Sequence, residues 1–255
     1  MVQNRGYAQP TATRVDGVVD PGLRAYMLGV YNYMTAGVAL TGAVAYGMYA
    51  ALTTSNPADA VARLPNGTLL TELGQSVYGS PLMWVIVLAP LAFILFMSFA
   101  RMSAATAQMT FWAFAAVMGL SMSTIFLRYT GVSIVQMFFI TAAAFSALSL
   151  YGYTTKKDLS GWGSFLIMGV VGIIIAALLN LFLQSGALQF AISVIGVLVF
   201  AGLTAYDTQR IKDEYYMVSG DGEAMAKASI FGALSLYLDF VNMFQFLLAL
   251  FGDRE

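Results

Sequence analysis

The sequence predicts an all-α polytopic membrane protein, a bundle of seven transmembrane helices, and three observations carry that prediction. Hydrophobic residues make up 59% of the chain and charged residues 10%, against about 25% charged in a soluble domain. Mean hydropathy is +0.76. Seven apolar runs, each close to the roughly 20 residues a helix needs to cross a bilayer, alternate with polar stretches that hold most of the charges.

Residues 1–24 are polar, punctuated by Pro and Gly, and carry Arg5, Arg14 and Arg24 without an apolar core. They read as a flexible cytosolic arm ahead of a transmembrane domain covering 25–255. The first run, 25–52, is long enough to span and lacks the short core and cleavage site of a secretory signal, so it reads as an uncleaved first span. Pro57, Pro65, Asn66 and Gly67 mark the polar stretch 53–80 as the longest loop, expected outside. The second span is placed at 81–100, ending on Arg101, and the third at 107–127, ahead of Arg128. A fourth at 132–153 leads into Lys156, Lys157 and Asp158, and a Gly and Ser turn that could cap the fifth, 162–183, follows. The sixth is read at 187–206 and the seventh at 230–251, with a charged loop, 208–229, between them.

The basic residues orient this frame. With the N-terminus inside, the cytosolic segments hold Arg5, Arg14, Arg24, Arg101, Lys156, Lys157, Arg210, Lys212 and Lys227, against Arg63, Arg128 and Arg254 outside. The bias puts the N-terminus in the cytoplasm and the short tail after the seventh span outside. A formal net charge of −1 gives no whole-chain pull towards nucleic acid. No Cys is present, which excludes disulfides and thiolate sites, and no His, so proton sensing near neutrality falls to carboxylates.

Two acids sit against or inside the apolar runs. Asp207 closes GVLVFAGLTAYD, and Asp239 lies near the middle of IFGALSLYLDFVNMFQFLLALF. A carboxylate at mid-bilayer costs about 2.5–3.5 kcal/mol on insertion scales, so Asp239 is a functional candidate with Asp207 as its partner. Ser235, Asn242 and Gln245 follow Asp239's spacing and form one polar stripe on the seventh span. Such a stripe needs protein or a water-filled cavity, which places that helix at the centre of the bundle. Two adjacent carboxylates in low dielectric cannot both ionise cheaply. They share a proton and titrate as a pair, which makes them a candidate pH sensor. Calcium, a hard cation preferring carboxylate oxygen, would compete for the same place. Arg101 is a candidate latch for either acid. Gly37, Gly42, Gly47, Gly169 and Gly172 suit close helix packing. The acids Asp213, Glu214, Asp221 and Glu223 are interspersed with bases and read as a solvated face.

Three segments taken together resemble the bacterial branch of the transmembrane Bax inhibitor motif family: ITAAAFSALSLYGYTTKKDLSGWGSFL at 140–166, AYDTQRIK at 205–212 and LSLYLDFVNMFQFLL at 234–248. The resemblance implies seven helices with the last one central, in the bacterial inner membrane. It implies a calcium leak gated by a pH-sensitive aspartate pair, matched by Asp207 in AYD and Asp239 in YLDF, with no enzymatic chemistry and no cofactor. An arginine latch late in the second span matches Arg101. A further arginine near the end of the last helix has no counterpart here, where Ala249 and Leu250 stand. The same branch contains proteins that bind and modulate a membrane protease, which is the alternative function. Paired aspartates on neighbouring spans also resemble intramembrane aspartyl proteases, but this chain reads LYLD in place of their GxGD and lacks a PAL motif. A Schiff-base lysine in the last span and a phosphate-binding Gly loop are likewise missing from the sequence.

Overall fold

The computed structural model describes residues 20–99 and 102–254. Helix α1, Pro21–Leu52, starts four residues before the predicted span. Pro21 at its first position needs no hydrogen-bond donor, and the Asp20 carboxylate accepts from the backbone N–H of Gly22 (2.8 Å) and Leu23 (3.3 Å). The long polar connection is more ordered than a loop. It holds three two-residue strands, β1 (Thr53–Thr54), β2 (Ala62–Arg63) and β3 (Leu69–Leu70), paired antiparallel in the order β1-β3-β2. Gly67, at φ 94°, makes the turn into β3. A short helix α2, Glu72–Tyr78, then meets α3, Leu82–Phe99, at a 66° bend.

Helix α4, Ala104–Met122, runs into a 3-10 segment, Ser123–Leu127. Helices α5, Gly131–Thr154, and α6, Ser160–Leu183, follow. Asp158 lies between them and accepts from the Ser160 backbone N–H at 2.8 Å; with the Ser160 hydroxyl this holds its carboxyl below the usual range. The cap position of α6 is Leu159, which offers no side-chain bond, so the Gly and Ser do not cap the helix. Six helices are each long and apolar enough to cross a membrane, and the bent α2–α3 pair makes seven if counted as one span.

The largest departure from the sequence reading is at 208–229. Helix α7 is continuous over Gly186–Val218 and α8 over Gly222–Phe251, so the segment read as a charged loop is helix apart from a turn at 219–221. Asp221 caps α8 by accepting from Glu223 (2.9 Å) and Ala224 (3.1 Å). Glu223 and Lys227 pair at 3.5 Å along its first turns. A helix satisfies its own backbone whether its side chains meet lipid or water, so it need not stop where the apolar run does.

Helix α8 lies at the centre, packed on α7, α1, α5 and α4. Leu236, Tyr237, Met243 and Leu248 are almost wholly buried along it. Residues 53–81, the α4–α5 connection and 252–254 gather at one end. There Asn66 Nδ2 donates to Leu127 O (2.8 Å), Thr130 N to Asp253 O (3.0 Å) and Ser133 Oγ to Asp253 Oδ2 (3.2 Å). The start of α1 lies at the other end beside α7, with Tyr26 and Tyr215 rings 5.5 Å apart. Helix α8 therefore runs the full length of the bundle and ends opposite the start of α1. Of the glycines expected at helix contacts, Gly37 packs on Phe111 and Tyr237, and Gly169 on Val199. Gly42, Gly47 and Gly172 have no neighbour there.

Candidate functional site

The carboxyl groups of Asp207 and Asp239 meet across the α7–α8 interface. Asp239 is 3% exposed and Asp207 8%. One turn along α7, the Arg210 Nε donates to Asp207 Oδ1 at 3.0 Å, and its Nη2 lies 2.9 Å from the same oxygen. That Nη2 also donates to Ser235 Oγ of α8 at 3.0 Å. One guanidinium therefore neutralises Asp207 and ties the two helices together. The contact exists because α7 stays helical past the apolar run, which sets residues 207 and 210 on one face. Asp239 is left differently: its Oδ2 is buried without a hydrogen-bond partner among the described residues. In a membrane interior such an oxygen is costly, and a proton or a cation is what relieves it.

Hydroxyl groups anchor the surrounding helices to this centre. Thr208, next to Asp207, is bonded to Ser149 Oγ of α5 (2.9 Å), which is bonded in turn to Tyr31 of α1 (2.5 Å). Tyr237, two residues before Asp239, bonds Thr41 of α1 at 2.6 Å, and Thr41 donates to Ala115 O of α4 at 2.9 Å. Each link satisfies a polar group that lipid cannot.

The predicted polar stripe divides between two places. Ser235 belongs to the carboxylate site. Asn242 turns back on its own helix, donating to Leu238 O at 2.8 Å. With the exposed Gln245 it lines a separate recess of about 630 Å³ at the far end of the bundle, alongside Gln189 and Arg128. The stripe is not one continuous wall of the site, although Asn242 brings the recess within one helical turn of Asp239. Arg101, the candidate latch, lies outside the described residues. Arg210, which the sequence reading counted only as a cytosolic charge, is the base in contact with Asp207 among the described residues. Its signal was the three-residue spacing from Asp207, visible only if the helix is extended past Tyr206.

As a calcium site the pair is sparse. Calcium takes about 6–8 oxygens, and no group of three or more acidic, His or Cys side chains is gathered for a metal among the described residues. Two carboxylates and a hydroxyl fit brief occupancy by a hydrated ion better than tight storage.

Residues 23–255 match the family model described as inhibitor of apoptosis-promoting Bax1. The chain belongs to the Bax inhibitor-1 family. Within it, the chain is 48% identical over 255 residues to an uncharacterised protein of Caulobacter vibrioides, covering 99% of this chain and 98% of that one. It is 42% identical over 248 residues to the inner membrane protein YbhL of Escherichia coli (strain K12), covering 95% and 98%. An uncharacterised membrane protein of Streptococcus pyogenes serotype M1 is 35% identical over 239 residues, covering 92% and 96%. The match extends over every helix described above, so the carboxylate pair lies within a Bax inhibitor-1 family bundle.

Proposed function

We propose that this chain is a pH-sensitive cation leak of the bacterial inner membrane, with calcium the transported ion and Asp207 and Asp239 its gate. The observation that carries the reading is the asymmetry of the pair. Asp207 has its counter-charge in Arg210, whereas Asp239 Oδ2 is buried without a donor among the described residues. A gate needs a place whose charge changes with proton or cation occupancy, and Asp239 provides one on the central helix.

In the packing described, Arg210 bonded to Asp207 and Ser235 fastens α7 to α8. A proton or a calcium ion arriving at the pair changes the repulsion between the acids and biases two packings of α7 against α8. The polar recess ending near Asn242 supplies the approach from the far end. The carboxylates act as charge and ligand, with no covalent chemistry.

The test is calcium flux into liposomes carrying the purified protein, between about pH 6 and pH 8, with Asp207→Asn and Asp239→Asn in parallel. The expected result is a pH-dependent flux that both substitutions alter. Parent-like flux and pH response in both variants would overturn the sensor role. Absence of flux at every pH from folded protein would overturn the leak.

A further inference from the structure

Helices α1 and α5 both pack on α8 but form no substantial interface with each other. A groove of about 780 Å³ runs between them. Leu28 and Val38 of α1 and Phe138 and Leu150 of α5 form its walls, and Phe240 of α8 forms part of its floor. Fourteen residues separate Arg24 from Val38, so the groove extends roughly 21 Å along the helix. That exceeds the roughly 15 Å hydrocarbon depth of one leaflet.

The mouth is cationic. Arg24 lines both the groove and an adjoining recess beside Pro21 and Ala25, and its side chain is in no ion pair among the described residues. Across from it Tyr153 closes the opposite wall. Behind Tyr153, Lys212 Nζ donates to its carbonyl at 2.9 Å and sits 5.5 Å from its ring. The apolar length with a positive end matches an amphiphile bearing an acidic head.

We propose that the groove is the seat of one anionic phospholipid, its phosphate at Arg24 and one acyl chain laid between α1 and α5. The Tyr31–Ser149 hydrogen bond lies along this seat, so the lipid rests against the hydroxyl chain that leads to Thr208.

Binding is read by native mass spectrometry of the full chain in detergent, with phosphatidylglycerol and phosphatidylcholine of identical acyl chains. The parent retains one phosphatidylglycerol about fivefold better than phosphatidylcholine, the preference one arginine at a membrane surface supplies. Arg24→Gln removes that preference and leaves phosphatidylcholine retention unchanged. Ala39→Trp, on an exposed groove position, lowers retention of both lipids, and Ser146→Trp on the opposite wall serves if the first variant does not fold. Arg128→Gln at the far end leaves the ratio as in the parent. Equal retention of the two lipids by the parent, or an Arg128→Gln effect as large as that of Arg24→Gln, would sink the proposal. So would unchanged retention in the folded tryptophan variant. Because flux is not read, failure of the leak leaves this outcome untouched.

Discussion

Arg210 carries two contacts on one planar group, to Asp207 and to Ser235, and its side chain is 44% exposed. A pair half open to solvent gains little from charge alone. Its worth lies in not leaving Asp207 uncompensated beside a second acid. Arg210→Gln is therefore expected to lower stability by about 1–3 kcal/mol, below the penalty of breaking a fully buried pair. Arg210→Lys should recover only part, since an ammonium cannot hold both oxygens as the fork does. Thermal unfolding in detergent checks both, and a parent-like midpoint for Arg210→Gln would remove the clamp. At this scale the sequence exposed the acids well, because a charge in an apolar run has nowhere to hide. Arg210 was obscured by company: among Lys212, Asp213 and Glu214 it looked like one more solvated charge. Glutamine and asparagine misled in the opposite direction, since Gln245 and Asn242 share a helical face with Asp239 but serve a separate recess.

Between helices, Gly152 of α5 stands close against the backbone of α7. A methyl there would collide with the backbone oxygen of Ala205 on α7. Backbone cannot step aside as a side-chain tip can, so Gly152→Ala forces α5 away from the helix bearing Asp207. A cost of about 1–3 kcal/mol is expected. Gly42→Ala, whose new methyl meets open space, should be neutral or slightly stabilising. Equal melting midpoints for the two variants would refute the distinction. Counting glycines could not separate them. Gly42 belongs to a regular five-residue series and Gly152 to none, and contact depends on which face of each helix the fold turns inward. The continuation of α7 and α8 beyond the apolar runs was hidden for a related reason. Hydropathy reports where lipid ends, whereas a helix ends where its backbone loses partners, here at 219–221.

Across the whole molecule, residues 53–81 and the turn at 219–221 lie at opposite ends of the bundle, and the Lys and Arg bias predicts a cytoplasmic place for the second. The chain has no cysteine, so a single introduced thiol is a unique label. Ala58→Cys in intact cells should react with a membrane-impermeant maleimide, while Gly220→Cys should react only after permeabilisation. The reverse pattern would invert the orientation and place Arg210 on the outer side. The all-α polytopic bundle and its central last helix were legible because apolar length and a polar stripe are both properties of the chain itself. The small sheet in the first connection was not, since two-residue strands carry no periodicity to detect.

Helix α8 packs on α1, α4, α5 and α7, yet all four precede it in the chain. During translation the wall of the bundle exists before its axis. At about 5–20 residues per second the 30 residues of α8 take roughly 2–6 s to synthesise. Until its middle has been made, Thr41 lacks its Tyr237 partner and Arg210 lacks Ser235. The most buried helix can therefore take its place only after the four helices it packs on have been made, and the two acids meet no earlier than that.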